Sequence, residues 1–232
     1  MPPKQSVKIE IEPGRAVDGL IDAPPGGIAA DRVAVLMAHG AGNDMHEALL
    51  AHLAQGLAAR GHWVLRFNFP YRSEGRPRPD GQRVLERTWL AAVAWARNET
   101  GLSPERLMAG GKSMGARVVS QLAGADKLQA AGFLFWGYPL HAPGKKQQLR
   151  DAHLDAIAAP MLFVAGTRDP FCDLALLQPV VDRLKPRATL EIITDGDHSF
   201  RVPRASAKRQ EAVYADIRER SLNWLKQTPG AR

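Results

Sequence analysis

The chain is poor in cysteine: Cys172 stands alone among 232 residues. No internal disulfide can form, and this usage fits a reducing compartment. No stretch approaches the roughly 18 consecutive apolar residues that a membrane-spanning helix needs. The opening Met1-Pro2-Pro3-Lys4, followed by the alternating Val7-Lys8-Ile9-Glu10-Ile11-Glu12, lacks the apolar core of a signal peptide. A cytoplasmic location without membrane attachment is therefore expected. Zinc-ligand spacings are missing too. His46 and His52 fall on different faces of a helix, and His46-Glu47 does not begin a His-Glu-x-x-His pair. No metal site and no cofactor are expected. There is no internal repeat, low-complexity tract or linker, so residues 1–232 read as one domain.

What is present is ordinary for a folded protein: 45% hydrophobic and 24% charged residues. Lys and Arg (31) exceed Asp and Glu (24), giving a net charge of +7. The basic residues are spread along the chain, with concentrations at Arg72 to Arg83, Lys145 to Arg150 and Arg201 to Arg209. No nucleic-acid motif accompanies them, so a solvated surface is expected and nucleic acid is not an expected partner.

Two kinds of segment alternate. Short apolar runs occur at Val33 to Ala38, Trp63 to Phe67, Leu107 to Ala109, Gly132 to Trp136, Met161 to Ala165 and Leu190 to Thr194, after two opening strands ending near Glu12 and at Asp22. Runs without polar alternation are the pattern of parallel strands buried on both faces. Between them lie amphipathic stretches at Glu47 to Arg60, Gln82 to Asn98, Met114 to Ala125, Leu174 to Leu184 and Ala205 to Gln227. Pro24-Pro25-Gly26-Gly27 and Ser103-Pro104 break the chain between elements. The alternation implies an α/β fold with helices on both faces of a mostly parallel sheet.

One motif carries chemistry. Gly111-Lys112-Ser113-Met114-Gly115 fits G-x-S-x-G directly after a strand and at the start of a helix. A serine at the tip of such a turn is held at positive φ, and the positions two before and two after it must be small for strand and helix to meet. Gly111-Lys112-Ser113 also resembles the tail of a P-loop, but the first glycine of that motif would fall on Arg106. Gly40-Ala41-Gly42 resembles the start of a dinucleotide fingerprint, but its third glycine would fall on Met45 and no ribose-binding acid follows.

The serine has partners in the order Ser, acid, His. His198 lies in Asp195-Gly196-Asp197-His198-Ser199-Phe200, after the last strand, and Asp169 follows the strand Met161 to Ala165. Asp173, Asp195 and Asp197 are rival acids; Asp173 is placed to cap the next helix. In the expected division of labour Ser113 is the nucleophile, His198 the base and Asp169 the residue that orients it. The oxyanion donors are expected to be the backbone N–H groups of Met114 and Ala41, with Gly42 as rival to Ala41.

Together these residues resemble the α/β-hydrolase superfamily, specifically its small dienelactone-hydrolase-like members. His39-Gly40-Ala41-Gly42, Phe69-Pro70-Tyr71, Gly111 to Gly115, Gly166-Thr167-Arg168-Asp169-Pro170-Phe171 and Gly196 to Phe200 resemble the branch that includes the testis-expressed and NSL-complex-subunit-like proteins. The resemblance implies an α/β-hydrolase fold of about eight strands with the triad at the C-terminal edge of the sheet. Dienelactone hydrolases proper carry a cysteine nucleophile where this chain has Ser113, so their substrate is not carried over. Two functions stay open: a hydrolase of small esters or related acyl compounds acting through an acyl-enzyme, or an interaction protein that keeps the fold. The intact Ser113, Asp169 and His198 favour the first.

The segment Leu140 to Ile157, where larger relatives insert a lid, is too short for a cap domain and implies an open pocket. His39, Gly40, Gly42, Tyr71, Trp136 and Tyr138 are expected to line that pocket. Arg72, Arg76, Arg78, Lys145, Lys146 and Arg150 are expected to form a basic rim favouring anionic substrates. Cys172 reads as a buried structural thiol, Trp89, Trp95 and Trp224 as packing, and His62, His141 and His153 as surface or satisfied residues.

Overall fold

Short runs of consecutive apolar side chains are readily buried by a strand covered on both faces, and that arrangement builds the centre of this molecule. A computed structural model describes residues 4–24, 32–101, 106–204, 206 and 209–228. The strands are β1 (Lys4–Glu12), β2 (Arg15–Asp22), β3 (Ala34–Ala38), β4 (Trp63–Phe67), β5 (Leu107–Lys112), β6 (Gly132–Trp136), β7 (Met161–Gly166) and β8 (Ala188–Ile193). They form one eight-stranded sheet in the order β1-β2-β4-β3-β5-β6-β7-β8. The β1–β2 hairpin joins β4 antiparallel, and all pairings from β4 through β8 are parallel. β5 therefore sits near the middle, and every central strand points its C-terminal end to one edge.

The helices are α1 (Ala48–Ala58), α2 (Pro70–Ser73), α3 (Gln82–Thr100), α4 (Met114–Gly124), α5 (Leu174–Arg183) and α6 (Gln210–Gln227), with a 3₁₀ turn at Ala152–Ala156. α1 and α6 cover one face, where Leu53, Leu57, Val213 and Ile217 pack on Val35, Met37, Val64 and Leu134. α3, α4 and α5 cover the other, where Trp89, Val118, Leu122 and Val180 meet Leu36, Leu65, Phe135 and Phe163. Strand parity sorts the residues: on β6, Phe133 and Phe135 go to the α4 side while Leu134 and Trp136 go to the α6 side. Each such buried side chain stabilises the fold by about 1.5–3 kcal/mol relative to exposure.

Local signals set the ends of the helices. Glu47 caps α1 by accepting from the Leu50 amide, Gly101 ends α3 in the left-handed conformation at φ 65°, and Asp173 caps α5 through the Ala175 amide. α6 begins at Gln210, later than the amphipathic pattern implies. The breaks at Pro25-Gly26-Gly27 and Ser103-Pro104 lie outside the described residues, as does Ala205. Between Leu140 and Ile157 only the 3₁₀ turn is regular, so no cap domain stands over the sheet edge among the described residues. No described helix is long and apolar enough to cross a membrane.

One buried ion pair ties the antiparallel flank to the parallel core. Arg66 on β4 donates from Nη2 and Nε to Asp22 Oδ2 at 2.7 and 3.2 Å, and from Nη1 to the Met45 carbonyl at 2.7 Å. Both side chains are essentially inaccessible, at 1% and 0% exposure. Removing one partner strands the other charge without water. Asp22→Ala is expected to lower the unfolding free energy in urea by about 3–5 kcal/mol, whereas the paired change Asp22→Leu with Arg66→Met should cost far less.

Candidate active site

Ser113 is the single residue between β5 and α4, and its backbone is forced to φ 51° and ψ −110°. A non-glycine residue held there costs on the order of 1–3 kcal/mol, which the elements on either side must offset. They do so by close approach. A Cβ on Gly115 would stand 2.4 Å from the carbonyl oxygen of Ala38, and one on Gly111 would stand 2.7 Å from the Gly115 carbonyl carbon. Any larger residue would push α4 off the end of β3. The Ser113 amide donates to the Trp136 carbonyl at 3.1 Å, which locks the turn to β6.

The serine hydroxyl donates to His198 Nε2 at 2.8 Å, and His198 Nδ1 donates to Asp169, at 2.8 Å to Oδ2 and 2.9 Å to Oδ1. Asp169 Oδ1 also accepts from the Phe171 amide at 2.8 Å. Its side chain has no exposure to water, while that of His198 retains 18%. Two loops meet to make this contact, and Gly166 is what lets them touch: a Cβ there would lie 2.2 Å from the Gly196 carbonyl oxygen. The Phe171 ring lies against the imidazole, with centroids 4.4 Å apart. Two of the three rival acids are engaged elsewhere. Asp197 folds its own loop by accepting from the Ser199 and Arg201 amides at 2.7 and 2.9 Å, and Asp173 caps α5.

The loop after β3 is fastened from below. His39 Nδ1 donates to the Gly40 carbonyl at 2.8 Å, and its Nε2 accepts from the Phe69 amide at 3.1 Å. Further along, the Met45 amide donates to Asn68 Oδ1 at 2.8 Å. These bonds carry Ala41 to the mouth of a cleft of about 440 Å³ lined by Ser113, Met114, Pro79, Leu85, Arg117, Pro139, Arg150 and Phe171. Among the described residues, the amides of Ala41 and Met114 donate to no other group of the chain. The Gly42 amide is turned towards the Tyr71 phenol, though short of full hydrogen-bond geometry, and offsets part of the rise in the phenol's pKa that burial imposes.

The six residues expected to line the pocket do not line it. His39, Gly40 and Tyr71 are buried beneath the loop, with Gly40 packed against the Ser113 Cβ. Gly42 is exposed at the loop tip but outside the cleft. Trp136 points to the α6 face, where its Nε1 donates to Ser221 Oγ at 3.1 Å. Tyr138 is buried on the opposite face and donates to the Arg150 carbonyl at 2.6 Å. All six sit at the right edge of the sheet, but parity or burial turns five of them away from the cleft and Gly42 lies beyond its mouth.

The basic rim is also different from expectation, because three of its six charges are matched. Arg72 pairs with Asp44, Arg76 with Glu74 and Asp80, and Lys146 with Asp173. Arg150 turns into the cleft instead. Arg117 and Phe171 were missed as lining residues. Arg117 falls one helical turn after Ser113, and Phe171 two positions after Asp169, which are the spacings that could have found them.

The remaining singled-out groups are structural. Lys112 is 2% exposed, tucked under the His198 loop with Nζ 6.0 Å from the Phe200 ring centroid, so it does not occupy the role of a P-loop lysine. Burial pushes its pKa down, against the pull of Glu47, Asp169 and Asp197. Burial raises the Cys172 thiol to about 12, leaving it un-ionised at neutral pH. Trp89 and Trp224 are packed in the two cores, and Trp95 stacks on Trp63. His141 accepts from the Asp173 amide and His153 bonds to Ser120.

A serine on a strand-to-helix turn, central in a mostly parallel sheet and backed by an imidazole from the loop after the last strand, is the arrangement of the α/β-hydrolase class. A family model described as "Alpha/beta hydrolase domain" matches residues 31–226, and the chain belongs to that family. Solved structures agree on the fold. An α/β serine hydrolase homologue from Coxiella burnetii superposes with a TM-score of 0.74 at 19% identity, covering 96% of this chain and 97% of that one. A lidless α/β serine hydrolase from Xanthomonas campestris gives 0.73 at 19% identity over 97% and 94% of the two chains. A dienelactone hydrolase from Anabaena variabilis gives 0.75 at 18% identity over 98% and 99%. The quorum-quenching protein AidA of Acinetobacter baumannii is 37% identical over 101 residues, a stretch that spans 42% of this chain and only 33% of that protein.

The buried His39 makes the loop beside Ser113 sensitive to acid. Burial lowers its pKa from 6.5 to about 4. Between those values the unfolded chain takes up a proton that the folded chain refuses, so stability falls as pH drops through this window. The loss attributable to this residue should reach about 2 kcal/mol between pH 7 and pH 5. Urea denaturation at the two pH values should show that increment in the native protein and its absence in His39→Gln.

Proposed function

We propose that this protein is a serine hydrolase that cleaves small carboxylic esters or related acyl compounds through an acyl-enzyme, without a cofactor. The observation that carries the reading is the unbroken chain of two hydrogen bonds, each 2.8 Å, from Ser113 Oγ through His198 to a carboxylate closed off from water. Such a chain gives the imidazole a fixed tautomer with its Nε2 lone pair directed at the hydroxyl.

In the first half-reaction Ser113 Oγ attacks the carbonyl carbon while His198 Nε2 takes the hydroxyl proton. The oxyanion that forms is held by the N–H groups of Met114 and Ala41, a type of contact whose loss costs roughly 3 kcal/mol in barrier height. Asp169 stabilises the imidazolium. Collapse of the adduct breaks the bond to the leaving alcohol, which departs with the proton from His198. A water molecule then gives its proton to His198 and attacks the acyl-enzyme, and Ser113 regains its proton as the acid is released. The open edge of the sheet and the 440 Å³ cleft suit a short acyl chain. The buried, single Cys172 fits a reducing compartment, and we place the enzyme in the cytoplasm.

Reaction with a fluorophosphonate tests this directly. The protein should be labelled at Ser113 and Ser113→Ala should not. Asp169→Asn should retain the fold while losing roughly four orders of magnitude in kcat on a p-nitrophenyl ester. A folded protein that resists the probe and turns over no ester would instead be an interaction protein built on the hydrolase fold.

A further inference from the structure

The cleft beside Ser113 is walled by the apolar Ala41, Pro79, Leu85, Met114, Pro139 and Phe171, and its polar lining, besides the serine, is Asp80, Gln82 and two arginines. Arg117 comes from the first turns of α4, and Arg150 from the segment between β6 and β7. Several other arginines are matched by carboxylates, Arg72 by Asp44, Arg76 by Glu74 and Asp80, and Arg183 by Asp151 and Asp155, while Arg78 stands exposed to water outside the cleft. Arg117 and Arg150 have no carboxylate partner among the described residues. Arg117 Nη1 donates to the neutral Gln121 side chain at 3.3 Å, and Arg150 Nη1 reaches only the Pro139 carbonyl at 3.5 Å. Two like charges converging in a partly desolvated cleft are unfavourable unless an anion joins them.

We infer that Arg117 and Arg150 form a binding site for a carboxylate carried on the acyl part of the substrate, so that the enzyme acts on half-esters of dicarboxylic acids. The inference rests on the serine-hydrolase reading. Three further observations support it. Arg150 is held at its base, since its amide donates to the Leu140 carbonyl at 2.8 Å and its carbonyl accepts from Tyr138 at 2.6 Å. Asp80 also lines the cleft, but its charge is already matched by Arg76 at 2.6 Å and its Oδ2 accepts from the Tyr71 amide at 2.8 Å, so it does not neutralise the pair. Arg117 is partly desolvated and feels the charge of Arg150, and both effects push its pKa down. Side chains one helical turn apart have Cβ atoms about 5–6 Å from one another. Each guanidinium stands at the end of a long side chain whose base lies beyond the serine, so the inferred carboxylate belongs several bonds from the scissile carbonyl, as in a glutaryl or adipyl chain. A forked guanidinium can hold it by paired hydrogen bonds.

The test compares mono-p-nitrophenyl adipate, which has a free carboxylate, with p-nitrophenyl methyl adipate, which does not. At low ionic strength the native protein should favour the anionic ester by about tenfold or more in kcat/KM, the scale of a hydrogen bond to a charged group. High salt should shrink that preference. The ratio should fall towards one in Arg117→Gln with Arg150→Gln, be partly retained in Arg117→Lys, and be kept in Arg97→Gln, which removes one exposed charge at the far end of α3. Fluorophosphonate labelling of each variant shows that its serine site is intact. Equal rates on the two esters in the native protein, or a preference that survives the double substitution, would overturn the inference while leaving the esterase reading in place. Failure to label, with neither ester cleaved, would remove the esterase reading and this inference together.

Discussion

The contact on which the site depends is between two backbones: the amide-rich first turn of α4 and the last carbonyl of β3. With a Cβ on Gly115 placed 2.4 Å from Ala38 O, there is no room for a side chain at that crossing. This proximity fixes more than the tilt of the helix. It leaves Ser113 as the only residue available to reverse the chain between β5 and α4, which is why its φ is driven to 51°. It also brings the first free amide of α4, that of Met114, beside the loop that continues from Ala38 and offers Ala41. Both proposed oxyanion donors therefore come from the two backbones that touch. A local steric fact and the candidate chemistry share one cause.

The polar groups that secure this arrangement lie under the cleft rather than in it. His39 and Asn68 bind backbone groups of the loops after β3 and β4, and Arg66, paired with Asp22, gives its remaining bond to the Met45 carbonyl. Such groups are costly to bury and tolerable only when paired. Here they convert a loop, ordinarily the softest part of a fold, into part of the scaffold. The same logic holds for the His198 loop, where Asp197 binds two backbone amides and the buried Phe200 anchors the far side. An imidazole held at both ring nitrogens and backed by anchored loops loses little entropy when it accepts a proton.

These placements explain what could and could not be read from the residues alone. The strands were legible because runs such as Val33 to Ala38 and Met161 to Ala165 are apolar at every position, which few structures other than a doubly covered strand can satisfy. Ser113, Asp169 and His198 were legible as a set because each follows a strand on the same edge, so topology alone brings their loops together. The cleft lining was not legible, because position along a strand says which edge a residue reaches but not which face it meets. Trp136 follows Phe135 by one residue and goes to the opposite side of the sheet. His39 was conspicuous for its chemistry and its place in a glycine-rich loop, but its two ring nitrogens are consumed by backbone. Arg117 was inconspicuous because, on a helix, a basic residue ordinarily signals the solvent face. Its place in the cleft depends on α4 starting at the serine, a relation of spacing rather than composition.

The charge of the molecule makes the same distinction between total and local quantities. A net charge of +7 suggests a broad positive surface that attracts anions from a distance. In the folded chain many of the basic side chains stand against carboxylates at exposed sites, where solvent and salt leave each pair worth little, and the net excess is spread over the rest of the surface. What survives next to the nucleophile is set by two arginines without carboxylate partners in a cleft with apolar walls. Low polarity there strengthens each of their interactions relative to the rim, and it also makes their mutual repulsion harder to screen. An anion that reaches the cleft relieves that repulsion while its own desolvation is offset by two forked donors. A field averaged over the whole surface would select substrates by charge alone. Arg117, one helical turn beyond Ser113, and Arg150, from the segment between β6 and β7, would on the proposed reading add a second and more demanding criterion, the length of chain between the charge and the carbonyl.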